Sequence, residues 1–369
     1  VRRPALPEFP WDRLTPAKER ATAAFGPDGL VDLSVGTPVD PAPKVVQEAL
    51  AAAADAPGYP LTSGTGPLRE AITGYLIHRH GVRDLSPSAV LPTMGSKELV
   101  AWLPTLLGLG PGDVVVHPTL AYPTYDVGAR LAGATPMATD EPSEIDRAGE
   151  SGAVRLIWVN SPANPSGRVL TPERLTELIA RARAHGAVLA SDECYAEFGW
   201  DVEPTSVLHP RVCGGTHRGL LAVHSLSKRS NLAGYRAAFL AGDAGIVAGL
   251  LEVRKHAGMM VPTPVQQAMI AALVDHEHVD AQRERYGVRR AALRSALAVT
   301  GFRIEHSEAG LYLWVTRDEP CWDTVDWFAE RGILVAPGDF YGTAGGRHVR
   351  VALTATDEHV SLAVARLAT

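Results

Sequence analysis

Only three of the 369 residues are cysteine: Cys194, Cys213 and Cys321. Three thiols cannot build a disulfide framework, so a reducing compartment is the simpler reading and a cytoplasmic location is expected. No run of 18 or more apolar residues occurs, and no helical membrane span is expected. The first residues carry Arg2 and Arg3 but no apolar segment behind them, so they do not read as a secretory signal. An excess of basic charge is missing too. The 35 Lys and Arg against 41 Asp and Glu leave a formal charge of −6, which gives no field for nucleic acid or an anionic membrane. Internal repeats and low-complexity tracts are also missing. The composition, 46% hydrophobic and 21% charged, is that of a soluble globular protein with a large core and two domains.

Along the chain, residues 1 to about 30 are proline-rich and read as irregular, with Phe9, Pro10 and Trp11 expected to dock elsewhere on the molecule. A short strand is predicted over 31–35, ending at Gly36-Thr37-Pro38, then helices over 43–54 and from Pro67, where a missing N–H costs nothing. The middle alternates. Apolar strand candidates at 89–91, 114–117, 156–160, 187–191, 220–224 and 237–241 are interleaved with helical stretches at 97–107, 125–131 and 171–185. Continuous apolar strands alternating with helices predict an α/β sheet, mostly parallel and covered on both faces. Helices near 246–255, 264–274 and 278–299 follow. The tail reads as strands at 310–315, 333–335 and 348–353 with helices at 322–331 and the end, a smaller α+β unit joined in space by the N-terminal segment.

The most informative residue is Lys228, in Ser225-Leu226-Ser227-Lys228, with Arg236 eight positions on. It follows the apolar run 219–223. A lysine at the mouth of a buried strand is costly to keep charged, and a neutral amine is what a Schiff-base nucleophile needs. The hydroxyls and Arg236 suit a phosphate. Alone, it reads as a surface lysine at a strand end. Its upstream company changes that. Asp192, in Asp192-Glu193-Cys194-Tyr195, lies 36 positions earlier, and Asn164, in Asn164-Pro165-Ser166-Gly167, a further 28 before it. Both fall just past the ends of predicted strands, where open α/β sheets place their ligands.

These three motifs, in this order and at these spacings, resemble those of the class I, fold-type I pyridoxal-phosphate (PLP) aminotransferases. The likeness covers essentially the whole chain. It implies a large domain with a mostly parallel seven-stranded sheet between helices and a smaller α+β domain. The expected spans are 1–42 for an N-terminal arm and part of the small domain, 43–280 for the PLP-binding domain and 281–369 for the C-terminal small domain. It also implies that Lys228 carries PLP as a Schiff base and moves a proton during the reaction. Asp192 would pair with the pyridine nitrogen, although after a strand it also reads as a helix cap. Tyr195 and Asn164 would hydrogen-bond the phenolic oxygen. Tyr195 also reads as a core tyrosine, and Asn164 as a turn residue.

For the phosphate, the resemblance implies Ser225 and Arg236 on one side and Gly95, Ser96 and Lys97 at a helix N-terminus on the other. Ser96 reads equally as an N-cap. Tyr122 matches an aromatic ring stacked on PLP, with core packing as its competitor. Tyr59 matches a tyrosine that reaches the neighbouring subunit's phosphate, which implies a homodimer with shared active sites. Arg350 matches the clamp for a substrate α-carboxylate, a bidentate task. Arg347 is its nearest competitor but lies in a turn, and Gly36 would offer a backbone N–H to the same carboxylate.

Other chemistries fit less well. Ser225-Leu226-Ser227-Lys228 matches the S-x-x-K of serine β-lactamases, but their other two motifs are missing. His209, Cys213 and His217 fit no zinc spacing, so no metal is expected. A regulator with an aminotransferase-like domain would need a DNA-binding module for which no room remains. The finer resemblance, carried by residues 6–12, 32–41, 254–262 and 333–341, is to actinobacterial N-succinyldiaminopimelate aminotransferases. It implies amino transfer from glutamate to N-succinyl-2-amino-6-oxopimelate in diaminopimelate and lysine biosynthesis, with Lys97, Arg229 and Lys255 as candidates for reading the succinyl end. The alternatives are a glutamate-dependent aminotransferase of aspartate, alanine or an aromatic amino acid, and a PLP-dependent C–S β-lyase. The partners expected are small amino and 2-oxo acids.

Overall fold

The computed structural model describes residues 6–151 and 153–368. The expectation for the first five residues lies outside that range. Among the described residues there are thirteen strands, in chain order β1 Val31–Asp32, β2 Val90–Met94, β3 Asp113–His117, β4 Thr135–Ala138, β5 Ala153–Asn160, β6 Val188–Asp192, β7 Leu220–Ser225, β8 Ala237–Gly242, β9 Arg303–Glu305, β10 Tyr312–Thr316, β11 Ile333–Leu334, β12 Ala336–Pro337 and β13 Val349–Ala352.

Seven strands form the large sheet, in the order β2-β8-β7-β6-β5-β3-β4. All neighbours run parallel except that β8 is antiparallel to both β2 and β7. The apolar runs build it because both faces are covered. Ile157, Val159, Leu189, Leu220 and Ala222 enter one core, while Leu156, Trp158, Ala190, Leu221 and Val223 enter the other. That is the alternation a pleated strand imposes. A four-stranded sheet, β12-β13-β10-β9, forms the smaller unit with its own core. The N-terminal segment joins this unit, since β1 pairs in parallel with β11. This is the mostly parallel α/β arrangement with a smaller α+β unit that the pattern predicts.

The structure corrects several expectations. Residues up to 30 are not irregular: a 3-10 turn, Pro10–Leu14, leads into a helix, Thr15–Phe25, with Pro16 in its first turn. That helix buries only Ala17 and Ala21, too thin an apolar stripe to read from sequence. Trp11 does dock, 5.4 Å from Phe340 between ring centroids. The first strand stops at Asp32 because its carboxylate turns back to accept from Ser34 N at 2.9 Å and Ser34 Oγ at 2.6 Å. Strands β4 and β9 give no apolar signal: each is an edge strand with no fully buried residue. The helix Pro142–Ser151 was also unread.

Candidate active site

Strands β5, β6 and β7 end side by side, with Asn160 opposite Asp192 and Asp192 opposite Val223. The loop after each strand carries one motif. Asn160 shapes the first loop: its Nδ2 donates to Pro162 O at 3.1 Å and Asp192 O at 2.9 Å, and its Oδ1 accepts from Asn164 N at 2.7 Å. Asn164 is thereby held so that its Oδ1 accepts from Arg350 Nη1 at 2.8 Å. Asp192 is buried and accepts from Tyr125 Oη at 2.8 Å and Cys194 N at 3.1 Å. The Tyr125 ring is fixed in turn by stacking on Trp158, 5.0 Å between centroids.

Lys228 stands in a single helical turn, Leu226–Arg229, directly after β7. Ser225 caps that turn, its Oγ accepting from Ser227 N at 3.1 Å. Lys228 Nζ donates to the carbonyl of Gly36. Burial pushes its amine below the usual lysine range, and Arg350 and Arg236 add to this against the opposing pull of Tyr312. A Cβ on Gly36 would lie 2.2 Å from Tyr312 Oη, so only glycine fits there. Tyr312 Oη is also 2.9 Å from Tyr195 Oη, and its ring lies 3.9 Å beneath the Arg350 guanidinium. Arg350 is fully enclosed; Nη2 donates to Ser34 O at 2.6 Å, and Nε has no hydrogen-bond partner among the described residues.

A second group lies at the junction of β2 and the helix Ser96–Leu106. Gly95 turns the chain with φ +86°, and a Cβ there would meet Arg236 Nη2 at 2.2 Å. The guanidinium therefore packs directly against the backbone at a helix start, and Nη1 is tied to Ala233 O at 2.8 Å. Lys97, in the first turn, is exposed and sits 5.5 Å over the Phe9 ring. Tyr122 is half-buried, 6.1 Å from Tyr125 edge to face, and burial raises its phenol. A cavity of about 250 Å³ past Asn160 and Ala163 is lined by Ser166 but not by Asn164, Asp192, Tyr195 or Lys228.

The chain matches the family model "Aminotransferase class I and II" over residues 28–367. It belongs to that family. These aminotransferases are PLP-dependent, and the fold is that of the aspartate aminotransferases. The chain is 61% identical to probable aminotransferase Rv1178 of Mycobacterium tuberculosis, covering 98% of this chain and 85% of that one. It is 60% identical to the 4-dedimethylamino-4-oxo-anhydrotetracycline transaminase OxyQ of Streptomyces rimosus, covering 98% and 99%. Among solved structures, a probable N-succinyldiaminopimelate aminotransferase from Thermus thermophilus superposes with TM-score 0.86 at 28% identity, covering 97% and 99%.

The residues present fit PLP. Gly95, the Ser96 helix start and Arg236 make a cationic cradle for a phosphate, which a side chain at position 95 would fill. PLP supplies, when bound, an electron sink for the carbanion formed at the substrate's α-carbon. Aminotransferases of this family act on small amino and oxo acids.

The structure brings together Gly36, Asn164, Tyr195, Lys228 and Arg350, linked through Tyr312, with Asp192 behind them. It does not bring Tyr59 there; that side chain is 96% exposed in the single chain. Arg347 is exposed, as its turn suggested. Of the three candidates for a distal substrate group, Arg229 is excluded. It is buried behind the site, donating to Ala272 O at 3.1 Å with its guanidinium 4.6 Å from the Tyr75 ring. Lys255 is paired with Glu252 at 2.6 Å on an outer helix. Sequence reasoning missed Asn160, which shapes its own loop, and Tyr125 and Tyr312, which touch the motif residues only because distant segments meet. His209 and Cys213 serve a short turn, His209 Nδ1 accepting from Arg211 N. Among the described residues, no helix is long and apolar enough to cross a membrane.

Proposed function

We propose that this aminotransferase exchanges an amino group between glutamate and N-succinyl-2-amino-6-oxopimelate, in diaminopimelate and lysine biosynthesis. In this reading Lys228 carries the cofactor and holds the proton moved at the substrate's α-carbon. Asp192 keeps the pyridine nitrogen protonated, and Asn164 and Tyr195 hold the phenolic oxygen. Ser225, Arg236 and the backbone N–H groups of Gly95, Ser96 and Lys97 hold the phosphate, Tyr122 covers the ring, and Arg350 with the Gly36 backbone receives the α-carboxylate. Tyr59 reaches the phosphate of a second copy, so the working unit is a homodimer with shared sites, in the cytoplasm. The spans 1–42, 43–280 and 281–369 serve as arm, cofactor-binding and closing units.

The observation that favours a substrate with an anionic far end is Lys97. It is an exposed cation beside the cradle, over Phe9, with no carboxylate partner among the described residues. The likeness to the Thermus structure points the same way. A second reading is favoured by the 60% identity to OxyQ: the acceptor would then be a polycyclic ketone. Half-reaction kinetics of the PLP form with glutamate, N-succinyldiaminopimelate, aspartate and aromatic amino acids, and of the aminated form with 4-oxo-anhydrotetracyclines, separate the two. Fast amino transfer from N-succinyldiaminopimelate, slowed at least ~10-fold in KM by Lys97→Met with PLP affinity kept, is expected. Reaction with the polycyclic ketone and none with N-succinyldiaminopimelate would refute the proposal.

A further inference from the structure

Tyr312 lies in β10, where the sequence offers only a buried strand. Its register explains its place. Tyr312 pairs with Ala352 and Trp314 with Arg350 across the antiparallel β10–β13 ladder. Tyr312 and Arg350 are thus diagonal neighbours, within reach of long side chains, and the guanidinium comes 3.9 Å from the ring. Phenylalanine would supply that packing. The hydroxyl is extra, and a buried hydroxyl is costly unless it is bonded. Its partner is Tyr195 Oη at 2.9 Å, and it occupies the space that any side chain at position 36 would need.

We propose that Tyr312 is a positioning residue: its hydroxyl donates to Tyr195 Oη, turning the Tyr195 proton toward the cofactor's phenolic oxygen and strengthening it as a donor. This rests on the aminotransferase reading of the site and deepens it. The direction of the bond follows from the surroundings. Burial alone would raise the Tyr312 phenol, but Arg350 and then Lys228 outweigh it and leave Tyr312 below the usual tyrosine range. Tyr195 is pushed up, first by burial and then by Tyr312. The more acidic phenol is the better donor, so Tyr195 accepts from it and keeps its own hydrogen for a third group. A donor that itself accepts a hydrogen bond is strengthened by polarisation. The groups facing Tyr312 are the cations Lys228 and Arg350, the anion Asp192, and the phenols Tyr122, Tyr195, Tyr286 and Tyr341. A substrate carboxylate on Arg350 offsets one of those cations, so Tyr312 also couples carboxylate binding to the donor strength of Tyr195.

The test is Tyr312→Phe, which keeps the ring over which Arg350 lies. In the PLP-loaded enzyme, the midpoint of the pH-dependent visible absorption change is expected to move up by about half a pH unit or more, since one neutral hydrogen bond is lost. The kcat with glutamate should fall roughly three- to tenfold with KM nearly unchanged, because Arg350 stays. In a Tyr195→Phe background the same substitution should move the midpoint no further. In cofactor-free protein, Tyr312→Phe should remove the lowest-titrating tyrosinate signal. An unmoved midpoint, or an equal shift without the Tyr195 hydroxyl, overturns the proposal. If the wild-type protein takes up no PLP, the functional reading fails, and the tyrosinate titration decides the Tyr312 assignment on its own: loss of the signal supports it and an unchanged titration overturns it.

Discussion

Asp192 and Glu193, Ser225 and His224, Lys228 and Arg229 are chain neighbours that end in different surroundings. The first of each pair belongs to the site. The second belongs to a buried charged cluster behind it. In the cluster, two arginines face Glu197, Arg79 at 2.8 Å and Arg229 at 3.5 Å, while a second glutamate, Glu193, meets His224 at 3.1 Å. The opposing charges balance, and the rings of Tyr75, His80, His224 and Phe239 close the remaining space. In the site, Lys228, Arg236 and Arg350 face only one motif carboxylate, Asp192. That surplus of positive charge needs a phosphate and a carboxylate from outside. Charge balance, more than residue type, separates the group that binds from the group that holds the sheet.

The sharpest break of this comparison is the adjacent pair. Lys228→Ala is expected to cut turnover by roughly three orders of magnitude or more while leaving unfolding by denaturant nearly unchanged. Arg229→Met should do the converse. It leaves Glu197, whose side chain is nearly buried, with Arg79 as its remaining arginine and costs about 3 kcal/mol in stability, partly recovered by adding Glu197→Gln. Comparable losses of stability from both single variants would erase the distinction.

A pH series read against His80→Gln probes the rear cluster. His80 is held down to about 4, first by burial and then by His224, against 6.5 in an open chain. Its folded value is depressed, so the stability it contributes is full above about 6.5 and is lost as pH falls toward 4. Glu197, depressed to about 2 despite burial because Arg229, His80 and Arg79 face it, loses its contribution only lower, between about 4.5 and 2. Stabilities from denaturant unfolding at pH 7.5 and 5 should therefore differ by up to ~2 kcal/mol, and His80→Gln should flatten that slope. A wild-type stability flat across this window would show that His80 titrates normally.

The division between the two regions was only half legible in the sequence. Strand ends after continuous apolar runs, followed by Asn164, Asp192 and Lys228, mark the site because the polar residues interrupt a strong local pattern. Arg229 was misread because one residue along a helical turn rotates a side chain by about 100°. Tyr195 and Tyr312 are 117 positions apart, and only the β10–β13 register places the second hydroxyl against the first. Edge strands such as β4, with no buried residue, carry no hydrophobic signal to read.

The smallest expected effect lies where the two regions touch. Tyr125 is completely buried among Trp158, Leu156 and Val223, yet its hydroxyl reaches Asp192 in the site. Burial first, and then the Asp192 charge, raise its phenol well above the usual range, so it stays protonated and can only donate. It therefore orients one Asp192 oxygen while Cys194 N holds the other. Tyr125→Phe keeps the stack on Trp158 and removes a single bond to a charged acceptor, worth about 1.5–3 kcal/mol. Under the proposed pairing of Asp192 with the pyridine nitrogen, part of that is regained in the PLP-loaded enzyme, so its stability should fall by only about 1 kcal/mol. PLP affinity and kcat should each drop severalfold, read by equilibrium dialysis and single-turnover absorption. A loss of stability with no change in PLP affinity would move Tyr125 wholly into the core and confine the site to its motifs.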